Sequence, residues 1–252
     1  MIAWRRPTVY VGVIAVIVAA WAVLTISRAV KPLLLASIPD VGVALGQLFQ
    51  QPAGVVGPIG LTLAEAGIAL GLAVIAGVGL GLVIGASPLL RRAYEPLATG
   101  LAALPLVILY PVLAASLGVG PSSKIVLGAL YAFFPLLIAT MRAVGRVDEG
   151  LIASARAMGA SRREIVLSVM MPAVSLPVIA ASRVAWALAL VTIIAAEFIA
   201  GANGVGYELA QASHLLNTPV LFAWVLLTVA LTVLANLLFT LLTRLLLKGI
   251  ER

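Results

Sequence analysis

The chain has 252 residues, of which 63% are hydrophobic and 10% charged, with a net charge of +7 and a mean hydropathy of +1.21. Soluble domains carry about 25% charged residues, so a water-facing globular surface is excluded and the chain reads as an integral membrane protein. It has no cysteine, which excludes disulfides and thiolate chemistry, and the basic excess fits loops on the cytoplasmic side of a bilayer rather than a nucleic-acid surface.

Residues 8–27 follow Arg5 and Arg6 and are almost wholly apolar. A cleaved signal peptide has an apolar core of about 7–15 residues. This run is nearer the ~20 that cross a bilayer, so it is expected to stay as a first span. Further spans are expected at 59–84, 94–117, 124–140, 174–200 and 219–243. Pro105 and Pro111 should bend the third, because each removes a backbone donor. Segments 28–58 and 201–218, rich in Gly, Pro, Gln and Asn, read as outer loops with short surface helices. The expectation is an all-α helical bundle of six transmembrane helices forming a single domain, 1–252.

Six spans place both termini on one side. The loops of that side hold Arg5, Arg6, Arg91, Arg92, Arg142, Arg146, Arg156, Arg162, Arg163, Arg244, Lys248 and Arg252, whereas the opposite loops hold Arg28, Lys31 and Lys124. Basic loops stay cytoplasmic, so both termini and the segment 141–173 are expected there.

That segment is a polar island between two apolar runs. Val144, Val147, Leu151, Ala155 and Met158 repeat with helical spacing, and Asp148 and Glu149 lie towards the end of the helix that favours acids. Gly159 stands where a helix ends in the left-handed conformation. Ser161 and Glu164 then have the spacing of a capping box before Ile165, Val166 and Leu167. The prediction is a helix, a tight glycine turn and a second helix running past Pro172 into the next span. Two roles fit such a unit: a rigid knob presented to a partner, or an amphipathic hairpin lying on anionic headgroups. A DNA-reading motif is excluded, since both ends are tethered into the bilayer.

The same hairpin resembles the cytoplasmic signature loop of binding-protein-dependent ABC importer permeases. That pattern (Glu-Ala-Ala, three residues, Gly, nine residues, Ile, one residue, Leu-Pro) maps onto Ala153-Ser154-Ala155, Gly159, Val169 and Met171-Pro172, with the initial glutamate replaced by Ala153. Residues 104–127, 131–148 and 195–213 are similar to the subgroup serving nitrate, sulfonates, taurine and related small solutes. The resemblance implies a type I importer permease, two copies of which form the solute pathway, in a bacterial cytoplasmic (inner) membrane. It also implies a cytoplasmic ABC ATPase dimer that binds the ATP and an extracytoplasmic substrate-binding protein. By that mapping Ala155, Gly159, Ala160, Arg162 and Arg163 form the coupling contact, with Ser161 and Glu164 holding its shape. Glu197 and the turn Gly204-Val205-Gly206-Tyr207 belong to an outer gate or docking surface.

Catalytic chemistry is not expected. Lys31, Lys124 and Lys248 are followed by Pro, Ile and Gly, so no P-loop is possible, and a single histidine leaves no clustered metal site. That histidine, His214, reads as a solvated residue of an outer loop. Glu65, Arg183 and Glu197 fall inside predicted spans, where charge is costly. The two glutamates either reach the outer interface or pair within the bundle, and Arg183 is expected to snorkel to the cytoplasmic headgroups. Tyr110, between the bending prolines, is a candidate for lining the pathway or an interfacial anchor. An ion-coupled secondary transporter and a structural anchor remain as alternatives; the first usually keeps several charged groups at the midplane, of which this sequence offers few.

Overall fold

A computed structural model describes residues 5–51 and 54–250; Arg252 of the charge balance lies outside them. Among the described residues all regular structure is helical. The helices are α1 (Arg5–Ile26), α2 (Ile38–Gln50), α3 (Val56–Gly85), α4 (Pro88–Ala102), α5 (Tyr110–Leu117), α6 (Pro121–Val144), α7 (Glu149–Ala157), α8 (Arg162–Ile165), α9 (Met171–Ala200), α10 (Val205–His214) and α11 (Thr218–Ile250).

Helices α3, α6, α9 and α11 lie in stretches long and apolar enough to cross a bilayer. The expected third span is instead two helices, α4 and α5, bent by 77° at a short break. Pro105 stands in the break, and a 3-10 turn at Leu106–Leu109 follows it. The Tyr131 hydroxyl accepts the Val107 N–H at 2.9 Å, satisfying a donor that the break would otherwise strand in an apolar setting. The apolar part of α1, Val11–Ile26, is shorter than the other candidates.

Small residues decide how the core packs. Along α3 the buried face includes Ala66 and then Ala69, Ala73, Gly77, Gly81 and Gly85, a four-residue rhythm from Ala69 on that lets α6 approach backbone to backbone. A methyl added at Gly77 would sit 2.9 Å from Leu136 Cβ and 3.0 Å from the Phe133 carbonyl oxygen. Ala132 and Leu136 of α6 and Ala185 and Ala189 of α9 complete this cluster. The bundle centre is therefore α3, α6 and α9, with α11 more peripheral.

Pro172 explains one irregularity. It cannot donate to the carbonyl one turn earlier, and Val166–Met170 just before it widens into a π-helical turn. Helix α8 thereby continues into α9 without a break.

Candidate functional site

Chemically distinctive residues gather at the two ends of α9. One group is the hairpin. Helix α6 ends at Val144, and α7 begins only at Glu149, later than the apolar spacing implied. The Asp148 carboxylate accepts the Gly150 N–H at 2.7 Å and so caps the new helix. At the other end of α7, Gly159 has φ +83°. Its N–H donates to Arg156 O at 2.9 Å and the Ala160 N–H to Ala155 O at 3.0 Å, the paired bonds of a helix closed by a left-handed glycine.

The capping box is present in full. The Ser161 N–H donates to the Glu164 carboxylate at 2.7 Å, and the Glu164 N–H donates to the Ser161 hydroxyl at 3.3 Å. Hydrogen bonds from the Ser161 side chain and then its amide hold the Glu164 carboxyl below the usual carboxylate range. Ala155 and Ile165 are buried against Val144 and Met170, which fixes the hairpin to the bundle. Gly159, Ser161, Arg162, Arg163 and Glu164 are exposed, and Ala160 is half-buried. Leu151 and Met158, expected on the packed face, are 57% and 82% exposed. The tip therefore presents apolar side chains and arginines to whatever lies beyond it.

The other group is a buried polar cluster at the opposite end of α9. Glu197 is fully buried. Its carboxylate accepts the Thr62 hydroxyl at 2.8 and 3.0 Å and the Gly206 N–H at 2.9 Å. Thr62 Oγ1 accepts the Val205 N–H at 3.0 Å. Side chains from α3 and α9 thus satisfy two amides at the N-terminus of α10, donors that have no partner within the helix, and the negative charge suits the positive end of the dipole. The close approach needs glycine. Gly204 has φ +108° with the Glu197 carboxylate against it, and a Cβ on Gly206 would lie 2.7 Å from Glu197 Cβ.

Lys124 completes the cluster. Its place in the sequence puts it with the outer loops, but it lies in α6, 2% exposed. Its Nζ is 2.8 Å from Glu65 Oε1 and 3.8 Å from Glu197 Oε1. Glu65, of α3, is itself 2% exposed, so it pairs within the bundle and does not reach the interface. Although Lys124 is so close, neither Glu65 oxygen has a well-directed hydrogen bond among the described residues, and the contact is chiefly ionic. Three charged groups from α3, α6 and α9 meet where few were expected. Only the habit of buried charges to come in opposite signs could have drawn Lys124 to Glu65 from sequence.

Other expectations change more modestly. Tyr110 is wholly buried against Leu127 and Ala196, so it is not an exposed interfacial anchor. Arg183 donates its Nε–H to Thr243 Oγ1 of α11 at 2.8 Å and does not run free to the headgroups. His214 is exposed, as expected, but it is the last residue of helix α10 and not a loop residue.

A bent-span helical bundle carrying a glycine-turn hairpin at the foot of α9, a core helix of 30 residues, defines a class, the membrane subunit of a multicomponent transporter. The chain belongs to the family described as the binding-protein-dependent transport system inner membrane component, which it matches over residues 73–252. It is 27% identical to the taurine transport system permease protein TauC of Escherichia coli K12 over 236 residues, 87% of this chain and 83% of that one. It is 35% identical to the riboflavin transport system permease protein RibX of Chloroflexus aurantiacus over 62% of this chain and 59% of that one. It is 34% identical to the putative aliphatic sulfonates transport permease protein SsuC of E. coli K12 over 58% of this chain and 53% of that one. A chain of the MetNI methionine ABC transporter, solved in inward-facing conformations, shares the fold with a TM-score of 0.66 at 20% identity, over 79% of this chain and 96% of that one. This protein is a multi-pass inner-membrane permease of an ABC importer, a transport subunit rather than an enzyme.

Proposed function

We propose that the hairpin is where this permease receives the work of ATP hydrolysis, through Ala155, Gly159, Ala160, Arg162 and Arg163, with Ser161 and Glu164 fixing its shape. The ATP is bound by a separate cytoplasmic ATPase dimer. The observation that carries this reading is the exposed tip: Met158 is 82% exposed beside a glycine turn whose flanking helices are capped and packed on the bundle. A hairpin built to rest on its own bundle would bury that residue, whereas one that transmits a push needs stiff sides and a free end.

In this reading 1–252 is one domain of six spans, with α1 and the α4–α5 pair as two of them, and the hairpin and both termini are cytoplasmic. The cluster around Glu197, with Tyr110 packed on the neighbouring Ala196, belongs to the outer gate, where a soluble binding protein delivers the solute. Two copies of the chain enclose the pathway. The solute is a small sulfonate of the taurine kind, supported by the match to TauC across most of both chains; selection rests chiefly with the binding protein.

The test is co-purification of the ATPase with Gly159→Leu, which forces a branched side chain into the left-handed region, and with Met158→Glu, which alters only an exposed side chain. Both variants are expected in the membrane at normal levels with the ATPase lost. An ATPase retained at wild-type levels by both would refute the assignment.

A further inference from the structure

Between the hairpin and the spans lies a cavity of about 410 Å³ whose lining includes Arg91, Arg156, Arg162, Glu149, Gly145 and Met170. Its floor is built where α3 ends at Gly85, α6 ends at Val144 and the turn into α9 begins. The ends of membrane-crossing helices lie at the depth of lipid headgroups.

Three elements contribute the arginines: α4 brings Arg91, α7 Arg156 and α8 Arg162. One carboxylate, Glu149, faces them, leaving an excess of two positive charges. The ion pairs among the described residues are Lys124–Glu65, Lys124–Glu197 and Arg142–Glu95, so none of the three arginines is neutralised by a carboxylate there. Arg91 is also held in place. Its guanidinium lies directly against Gly145, in the space a Cβ would occupy, and it is half-buried. One use of Arg91 is local, since a cation suits the C-terminal end of α6. Arg156, in the last turn of α7, and Arg162, at the start of α8, reach the same cavity from the hairpin, and the end of α6 does not account for them.

We propose that this cavity binds a phosphate group, carried by an anionic phospholipid headgroup at the membrane surface or supplied as free phosphate. Guanidinium forks match pairs of phosphate oxygens, and basic pockets between spans on the cytoplasmic side accept anionic headgroups. A phosphate held by Arg91, Arg156 and Arg162 together ties the hairpin to α4 and to the foot of the bundle. The proposal does not require that the hairpin tip meets an ATPase.

The full chain would be purified in detergent with phosphatidylglycerol or phosphatidylcholine and the retained lipid counted by native mass spectrometry. Inorganic phosphate would be titrated separately and followed by its phosphorus resonance. The wild type should retain phosphatidylglycerol over phosphatidylcholine. Arg91→Gln should lower that retention about fivefold, and Arg91→Gln/Arg156→Gln by about the square of that. Arg92→Gln, exposed and outside the cavity, should change nothing. Phosphate binding without lipid, lost in the double variant, would assign the free anion as the source. Equal lipid retention by wild type and double variant, with no phosphate binding, overturns the proposal. So does unchanged retention with loss of a co-purifying protein, which would make the cavity a protein contact.

Discussion

Replacing Lys124 by methionine tests the buried cluster most directly, because it removes the cation that both glutamates face while nearly keeping side-chain volume. Nζ lies 2.8 Å from Glu65 and 3.8 Å from Glu197, and all three side chains are at most 3% exposed. Removing one partner of a buried pair costs about 3–5 kcal/mol, because the remaining charge is left uncompensated. Most of that should fall on Glu65, whose carboxylate has no hydrogen bond among the described residues, while Glu197 keeps Thr62 and the Gly206 amide. Lys124→Met/Glu65→Met should therefore recover all but about 1 kcal/mol, since apolar replacement of a whole buried pair is often neutral. At about 2–4 °C per kcal/mol for a chain of this size, the single variant should melt about 6–20 °C below wild type. Thermal unfolding of detergent-purified protein, read by size-exclusion recovery, measures both variants. A single variant within about 2 °C of wild type, or a double variant no more stable than the single, would refute the reasoning.

The seam between α3 and α6 gives a steric test. A Cβ at Gly81 would lie 2.5 Å from Thr140 Cβ, whereas Gly79 faces open space. Gly81→Val should cost at least about 1–3 kcal/mol and Gly79→Val almost nothing, by the same melting assay. The Glu164 carboxyl, held below its ordinary 4.5 by Ser161, supports the hairpin fully above that unfolded value, and the support is lost as pH falls through the lower folded one. Amide exchange at residues 161–165 should thus be flat from pH 7 to about 5, after correction for intrinsic rates, and lose protection below 4.5; Ser161→Ala should remove that step. Glu197→Gln and Tyr110→Phe, in an intact complex, should slow uptake while the ATPase stays bound; wild-type rates in both would remove these residues from the proposed gate.

The hairpin was legible in the sequence because its determinants are local. Gly159, Ser161 and Glu164 act on amides within a few residues, and their spacing alone implies the turn and the cap. The approximate extents of α3, α6, α9 and α11 were also legible, since an apolar run must reach a minimum length to span. Two features were not. The start of α7 depended on Asp148 taking the Gly150 amide, a competition that apolar periodicity does not register. Lys124 looked like a loop cation because it stands three residues into α6 (Pro121–Val144), behind Gly120 and Pro121. Only the arrival of Glu65 from α3 and Glu197 from α9 makes its burial tolerable, and those contacts span 59 and 73 positions.

The two groups meet mechanically in α9. Its 30 residues run from the π-helical turn beside the hairpin to Ala200, three residues beyond Glu197, about 44 Å at 1.5 Å per residue. A helix packed along its length on α3 and α6 resists bending, so a displacement at its foot has few places to be absorbed. The π turn is one, and Gly201–Gly204 beyond the far end is another. Glu197 bridges that far end, accepting the Gly206 amide of α10 while Lys124 and Thr62 hold it to α6 and α3. The buried charges therefore stand where motion of α9 would otherwise separate α10 from the bundle. Apolar residues could fill that space, but they could not satisfy the N-terminal amides of α10. A carboxylate can, and the cation that α6 supplies offsets the cost of burying it beside Glu65.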